Sequence, residues 1–285
     1  MRRMPLRNLI ATLALIMALG ACARVPSDTA TLVPAGNIQA ANDVWERFAA
    51  IATRAENTAG PFRVSGTLFY SGKEDSQRVS IYLWGNGGKA SLLPLRLDIL
   101  MGHGSILGRV REDARMFSVY VPSQETVFTH TGRGGLLAFG VPFPFTLSEL
   151  TALVTGRYAK TFTTPGVDAV RRIPAAYEGP QSSFFYDIRN APIAGLLCVS
   201  PAGLPLSWQE HNPDGWKLTF EYWEDSTRPT PRKLHIRHSN GGEATLIVRE
   251  IARPEPFSDE QLALVLPANT RTALLGSPRM PNSKQ

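Results

Sequence analysis

The chain has 285 residues, 43% hydrophobic and 19% charged, which supports a packed core and excludes wholesale disorder. Its formal charge of +6 includes Arg2, Arg3 and Arg7, and the N-terminal segment that holds them contains no acidic residue. Without that segment the net charge is only +3, and no stripe of Lys and Arg speaks for nucleic acid. The two cysteines, Cys22 and Cys198, are too few and too far apart for a cysteine-rich zinc cluster, and if Cys22 is lipidated Cys198 has no partner for a disulfide.

Arg2, Arg3 and Arg7 precede the apolar run from Leu9 to Leu19, which is too short to span a bilayer comfortably. Residues 1–21 therefore read as a cleaved export signal. The run ends in Leu19-Gly20-Ala21-Cys22, which resembles the bacterial lipobox. That resemblance implies that the Cys22 thiol is diacylated and that Cys22 becomes the new amino terminus, with several acyl chains giving a stable anchor. It also implies that an aspartate just after the cysteine would favour the inner membrane. Ala23 and Arg24 stand there instead, so the expectation is a lipid anchor in the outer membrane, on its periplasmic face. Residues 22–37, rich in Pro, Thr, Ala and Gly, read as a flexible tether.

From residue 38 to 57, Val44, Phe48, Ile51 and Ala55 mark one face of an amphipathic helix, which Gly60-Pro61 terminates. The period then changes to two. Phe62, Val64, Gly66, Leu68 and Tyr70 alternate with polar residues, as do Val79, Ile81 and Leu83, with Tyr82 and Trp84 on the opposite face. Leu93 to Ile99, Ser105 to Arg111, Arg115 to Val121 and Glu125 to Thr129 continue an antiparallel meander. Thr146, three residues before Glu149, forms a capping box for a short helix with Leu147, Leu150 and Val154 on its apolar face and Gly156 as its stop. Strands resume over 183–189, 195–200, 204–211, 216–222, 233–238 and 243–251. The segment from Leu262 to Pro267 reads as the end of the ordered part, with a loose tail over 276–285.

Motifs that carry catalysis are missing. There is no Gly-x-Ser-x-Gly, and Arg133-Gly134-Gly135 lacks the Lys-Ser/Thr of a phosphate loop. Gly102-His103-Gly104-Ser105 reads as a turn. His235 and His238, three apart on a strand, face opposite ways and share no metal. Glu112 and Asp113 read as solvated carboxylates, and Cys198 as a small buried side chain. The expectation is a binding protein with no metal or cofactor, an unfamiliar enzyme acting on envelope lipid or glycan remaining open.

The order of lipobox, tether, helix, strands, short capped helix and strands resembles the LolB-like outer-membrane lipoprotein receptor family, within the LolA/LolB superfamily. The stretches that carry the likeness are Val64-x-Gly66-x-Leu68, Tyr82-x-Trp84, Gly140-Val141-Pro142-Phe143-Pro144-Phe145 through Gly156, and Gly215-Trp216-Lys217-Leu218 with Tyr222, Pro231 and Lys233-Leu234. The segments 157–200 and 257–275 depart from the family pattern. The resemblance implies an α+β fold: a curved antiparallel sheet, an unclosed β-barrel, with helices covering its concave face, over residues 38–275. It implies acylated lipoproteins or lipids as cargo, a LolA-like periplasmic carrier as partner, and no nucleic acid. Trp84, Leu95, Leu97, Phe117, Phe143 and Trp216 become candidates for an acyl-chain cavity, and Leu100 and Met101 for a membrane-insertion loop. The residues also leave open a non-enzymatic scaffold lipoprotein of an envelope or secretion complex, which would bind through a sheet edge or surface patch.

Overall fold

The computed structural model describes residues 36–71, 76–88, 91–162, 170–171, 183–189, 191–224 and 229–276. The export signal, Cys22 with most of the tether, and the tail beyond residue 276 lie outside the described residues. Helix α1 (Gly36–Asn57) begins two residues inside the expected tether. Its buried stripe is Ala41, Val44, Phe48 and Ala52, so the face is turned slightly from Ile51 and Ala55, which are half-buried.

Six strands follow: β1 (Phe62–Ser71), β2 (Ser76–Gly85), β3 (Leu95–Met101), β4 (Ile106–Glu112), β5 (Phe117–Val121) and β6 (Thr126–His130). After helices α2 (Gly135–Ala138) and α3 (Leu147–Val154) come β7 (Val170–Arg171), β8 (Phe184–Ile188), β9 (Gly195–Val199), β10 (Pro205–Gln209), β11 (Trp216–Glu221), β12 (Lys233–His238) and β13 (Glu243–Ala252). Helix α4 (Asp259–Leu262) and β14 (Arg271–Leu274) complete the described chain. The strands form one sheet in the order β14-β6-β5-β4-β3-β2-β1-β13-β12-β11-β10-β9-β8-β7, open at both ends. It is two meanders joined where β1 pairs with β13.

Register turns the alternation of the strands into a continuous apolar face. Val64, Leu83, Leu97, Val110 and Val119 lie side by side across β1 to β5. All five are buried in the same hydrophobic cluster as Tyr186 and Ile188 of β8, Leu218 of β11 and Ile236 of β12. Strands from both halves of the sheet can share one core only if the sheet curls. Val44, Phe48 and Ala52 of α1 and Leu147, Leu150 and Leu153 of α3 fill the hollow. Gly66 sits at the bulge that bends β1 against β13; a Cβ there would lie 2.7 Å from the Ile247 carbonyl oxygen.

α3 is buried on nearly all sides, so its first backbone donors need partners inside the protein. The capping box expected from Thr146 and Glu149 is present: Glu149 N donates to Thr146 Oγ1 at 3.0 Å and Thr146 N to Glu149 Oε2 at 2.9 Å. Leu147 N and Ser148 N donate to Glu112 Oε2 and Oε1 at 2.8 and 3.0 Å. Glu112 is therefore not solvated, as its charge suggested; it is 8% exposed, on the inner face of β4, and holds the helix onto the sheet. At the other end Gly156, at φ +75°, takes the left-handed position, and Arg157 N reaches back to Ala152 O at 2.8 Å. The Arg157 guanidinium then bonds Glu56 of α1 at 2.7 Å and the Gly88 carbonyl at 2.9 Å.

Two further expectations change. The sheet is not wholly antiparallel, because β14 pairs with β6 in parallel. The ordered chain does not end at Pro267. Residues 262–267 belong to a strap that starts in α4, crosses the outer face and ends in β14. Asn86 exchanges two hydrogen bonds with Phe257, Arg96 Nη1 donates to Ala263 O, and Arg271 N donates to Glu125 O at 2.9 Å.

Glu112→Ala should lower the unfolding free energy by about 2–4 kcal/mol in urea titrations, since it strands two buried donors and leaves a gap. Burial pushes the Glu112 carboxyl above its ordinary range, and the two backbone donors only partly offset this. A raised folded-state value means that its contribution to stability is complete below the unfolded carboxylate range and is lost as pH rises through the raised value. The stability advantage of wild type over Glu112→Gln should therefore shrink from acid toward neutral pH; an advantage that grows would contradict this assignment.

Candidate functional site

A cavity of about 380 Å³ opens at one end of the hollow, between the sheet and α2. Its sheet wall is Ile99 of β3, Leu107 of β4, Val121 of β5 and Phe128 of β6; Ala138, Phe139 and Val141 face them, and Leu275, just past β14, closes one side. Tyr70, Gln77, Ser123 and Gln124 form a polar rim, and no lining residue carries a charge. The Tyr70 hydroxyl donates to Gln77 Oε1 at 2.6 Å, and partial burial raises its pKa.

Glycines set the width of this space. A Cβ on Gly108 would lie 3.2 Å from the Phe139 ring, so the bare backbone at 108 lets that ring rest against the sheet. A Cβ on Gly135 would stand 2.4 Å from the Phe117 ring, which packs directly under the first residue of α2. Arg133 steadies the loop ahead of α2: its guanidinium reaches Glu149 Oε1 at 2.9 Å and the Pro192 carbonyl at 2.5 Å.

The sequence candidates occupy three places. Leu95, Leu97, Phe117, Phe143 and Trp216 are buried in the common core, packed by neighbours, and the cavity lining does not include them. Trp84 is half-buried on the opposite face of the sheet; its indole Nε1 donates to Gln261 O at 3.4 Å, and the Arg96 guanidinium lies 5.6 Å from its ring. Leu100 and Met101 end β3 rather than forming a loop, and Met101 pairs with Val79 at the cavity end of the sheet. Met101 is 39% exposed, one inner-face position beyond the cavity residue Ile99. The turn itself is Met101 to Ser105, closed by Gly104 N to Met101 O at 2.9 Å, as Gly102-His103-Gly104-Ser105 suggested.

Leu107 sits beside a register shift and Val141 and Leu275 lie outside strands, where no period marks them, while Ile99, Val121 and Phe128 lie on strands whose alternation marks them only as inward-facing. Phe139 was visible only as one apolar residue before a glycine. His235 and His238 do face opposite ways: His235 Nδ1 lies 2.9 Å from Thr245 Oγ1, while His238 packs on Trp216 with ring centroids 4.8 Å apart. Among the described residues no three His, Cys, Asp or Glu side chains come together as a metal site, and no helix is long and apolar enough to cross a membrane.

No family model and no curated protein matches the chain. Among solved structures it is similar to a DUF1329 family protein from Desulfovibrio piger, at 13% identity over 78% of this chain and 98% of that one, with a TM-score of 0.46. It is similar to a LolA superfamily protein from Nitrosomonas europaea, at 11% identity over 79% and 97%, with a TM-score of 0.49. An outer membrane lipoprotein-sorting protein domain from Vibrio parahaemolyticus shows 10% identity over 76% and 94%, with a TM-score of 0.40.

Gly135→Ala should cost about 1–3 kcal/mol, because the new methyl group displaces the Phe117 ring. Gly134→Ala, where a Cβ meets no atom within 4 Å, changes only the backbone preference at a φ of +80°. Thermal melts of both variants separate the packing effect from the backbone effect.

Proposed function

We propose that this chain is a lipid-anchored outer-membrane protein whose cavity accepts an acyl chain of a lipoprotein or lipid and helps insert it into the membrane. The observation that carries this reading is an uncharged, mainly apolar cavity at the same end of the sheet as half-exposed Met101. Its volume falls within the ~300–1,000 Å³ of ordinary ligand pockets. Each methylene transferred from water onto the apolar part of the lining gains about 0.8 kcal/mol, and no wall residue imposes the desolvation cost of a charge, the neutral polar groups being confined to the rim. In this reading Cys22 anchors the protein by its acyl groups, residues 22–35 tether it, and Leu100 and Met101 meet the bilayer during delivery. Met suits that contact because its flexible, polarizable side chain adapts to irregular apolar surfaces. A LolA-like periplasmic carrier is the partner that would bring the cargo. Such a role is binding and transfer rather than bond-making chemistry.

A scaffold lipoprotein of an envelope or secretion complex is the second reading. The exposed apolar residues of the C-terminal strap favour it, Val265 at 72% and Leu274 at 81% exposure.

Labelled palmitate should enter the wild type and not Cys22→Ser. The non-lipidated Cys22→Ser protein should bind a fluorescent fatty acid saturably. Leu107→Trp, which fills the cavity, should weaken that binding about tenfold, equivalent to ~1.4 kcal/mol, with little change in the melting temperature. Met101→Glu should leave binding intact and slow transfer to liposomes. A protein that binds no fatty acid while capturing envelope proteins through the strap would replace the acyl-chain reading with the scaffold reading.

A further inference from the structure

We propose that the outer face of β3 and β4, on the far side of the sheet from the cavity, is a second binding site that takes a phosphate-bearing anion. Three arginines meet there. Arg96 of β3 lies directly opposite Arg111 of β4, and Arg109 follows two residues before Arg111 on the same face. Like charges directly opposite on paired strands are destabilising, so this face carries an electrostatic strain that acidic neighbours must relieve.

The acidic neighbours are too few. Asp98 bonds Arg96 at 3.2 Å and Asp113 bonds Arg111 at 3.0 Å. Arg109 stands opposite Asp98 in register but has no ion pair among the described residues. Two carboxylates thus face three guanidinium groups. The Nε atoms of Arg96, Arg109 and Arg111 are all sealed from water with no acceptor in hydrogen-bonding range. Buried donors are nearly always paired, so three orphans in one cluster mark it as poorly compensated; being sealed, they do not themselves reach a ligand, which the terminal guanidinium nitrogens would meet.

The three arginines differ in role. Arg96 has only 7% of its side chain exposed, lies over the Trp84 ring and donates to the strap carbonyl of Ala263, so it is fixed in place and contributes field from behind. Arg111, with 36% of its side chain exposed, and half-buried Arg109 are the two that solvent reaches. Two residues along one strand put their Cα atoms about 7 Å apart, a separation that two long side chains close around one small anion. Beside them on β5, in register, stand half-buried Ser118, which offers a further hydroxyl donor opposite Arg111, and Tyr120, which is buried opposite Arg109. A tetrahedral phosphate with several charged oxygens can accept from two guanidinium forks at once. Its charge also offsets the one positive charge left uncompensated. The phosphate of a lipid headgroup and a free phosphate or diphosphate share this chemistry.

The test uses the full chain without its lipid, as Cys22→Ser, with inorganic pyrophosphate in calorimetry and with vesicles of phosphatidylcholine alone or mixed with phosphatidic acid. Saturable pyrophosphate binding, weakened about tenfold by Arg109→Gln, is the expected result. Arg109 makes no ion pair among the described residues and adds to the repulsion on this face, so Arg109→Gln should leave the melting temperature unchanged or slightly raised in the absence of ligand; Arg109→Lys should recover part of the affinity. Stronger binding to the phosphatidic acid vesicles than to pyrophosphate would identify the headgroup as the source, and the reverse a soluble phosphate. Fatty-acid binding in the cavity should be unaffected by Arg109→Gln, so failure at one face is distinguishable from failure at the other. No saturable binding to either probe, or equal binding by wild type and Arg109→Gln, would overturn the site.

Discussion

The carboxylate of Glu112 beneath the first turn of α3 is the contact on which the interior depends. A sheet curled this tightly needs something in its hollow, and a helix is a costly filling because its first turn presents unpaired N–H groups. Here every one of them has a partner. Leu147 and Ser148 donate to Glu112, Glu149 donates to Thr146, and Leu150 resumes the regular ladder through the Thr146 carbonyl at 3.0 Å. The carboxylate also meets the positive end of the helix dipole, which favours its charge where the apolar surroundings oppose it. With α3 fixed, Glu149 holds Arg133, Arg133 holds the loop before α2, and α2 with Phe139 becomes the wall of the cavity.

The far end of α3 is secured by the opposite charge. Arg157 is 5% exposed and is satisfied by Glu56 and by the carbonyls of Gly87 and Gly88, so one side chain joins α1, α3 and the loop after β2. Along the helix Thr151 and Thr155 turn their hydroxyls onto carbonyls four residues back, each at 2.7 Å, which removes the cost of burying them. The helix therefore sits in an apolar shell without stranded donors at its ends, and the side chains that position it are polar.

Local signals were legible in the sequence, and long-range ones were not. Thr146 and Glu149 announce the start of α3 because both partners of the capping box lie within four residues, and Gly156 announces its end in the same way. Strands such as β2, β4, β11 and β13 show through alternation, because one face of each is buried, whereas β8 is buried on both faces. Glu112 could not be read correctly: its acceptors serve residues 35 and 36 positions away, and a lone glutamate at a strand end looks like any solvated charge. β14 was invisible for a different reason. Its residues are mostly exposed, so it has no alternation, and its place beside β6 is set by backbone pairing and by the strap that delivers it. For the site, burial patterns found core residues such as Leu95 and Leu97. A cavity, in contrast, is bounded by positions where packing stops, at a bulge and in loops, and periodicity carries no record of where packing stops.

The seam between β1 and β13 bears on how the chain reaches this state. Within each half, strands that pair also follow one another in sequence, so β1 to β6 and β8 to β13 can each form through contacts close in sequence. The seam instead joins Arg63 to Ala252 and Ser71 to Glu243, and it cannot form until most of the polypeptide is present. Contacts this distant are entropically expensive to close and slow to find. Until they close, the inner edges of both half-sheets are unpaired, and Val64 and Leu68 on one side and Leu246 and Val248 on the other remain without the shared core. A break at this seam would therefore open two strand edges and the apolar face between them to other chains at once.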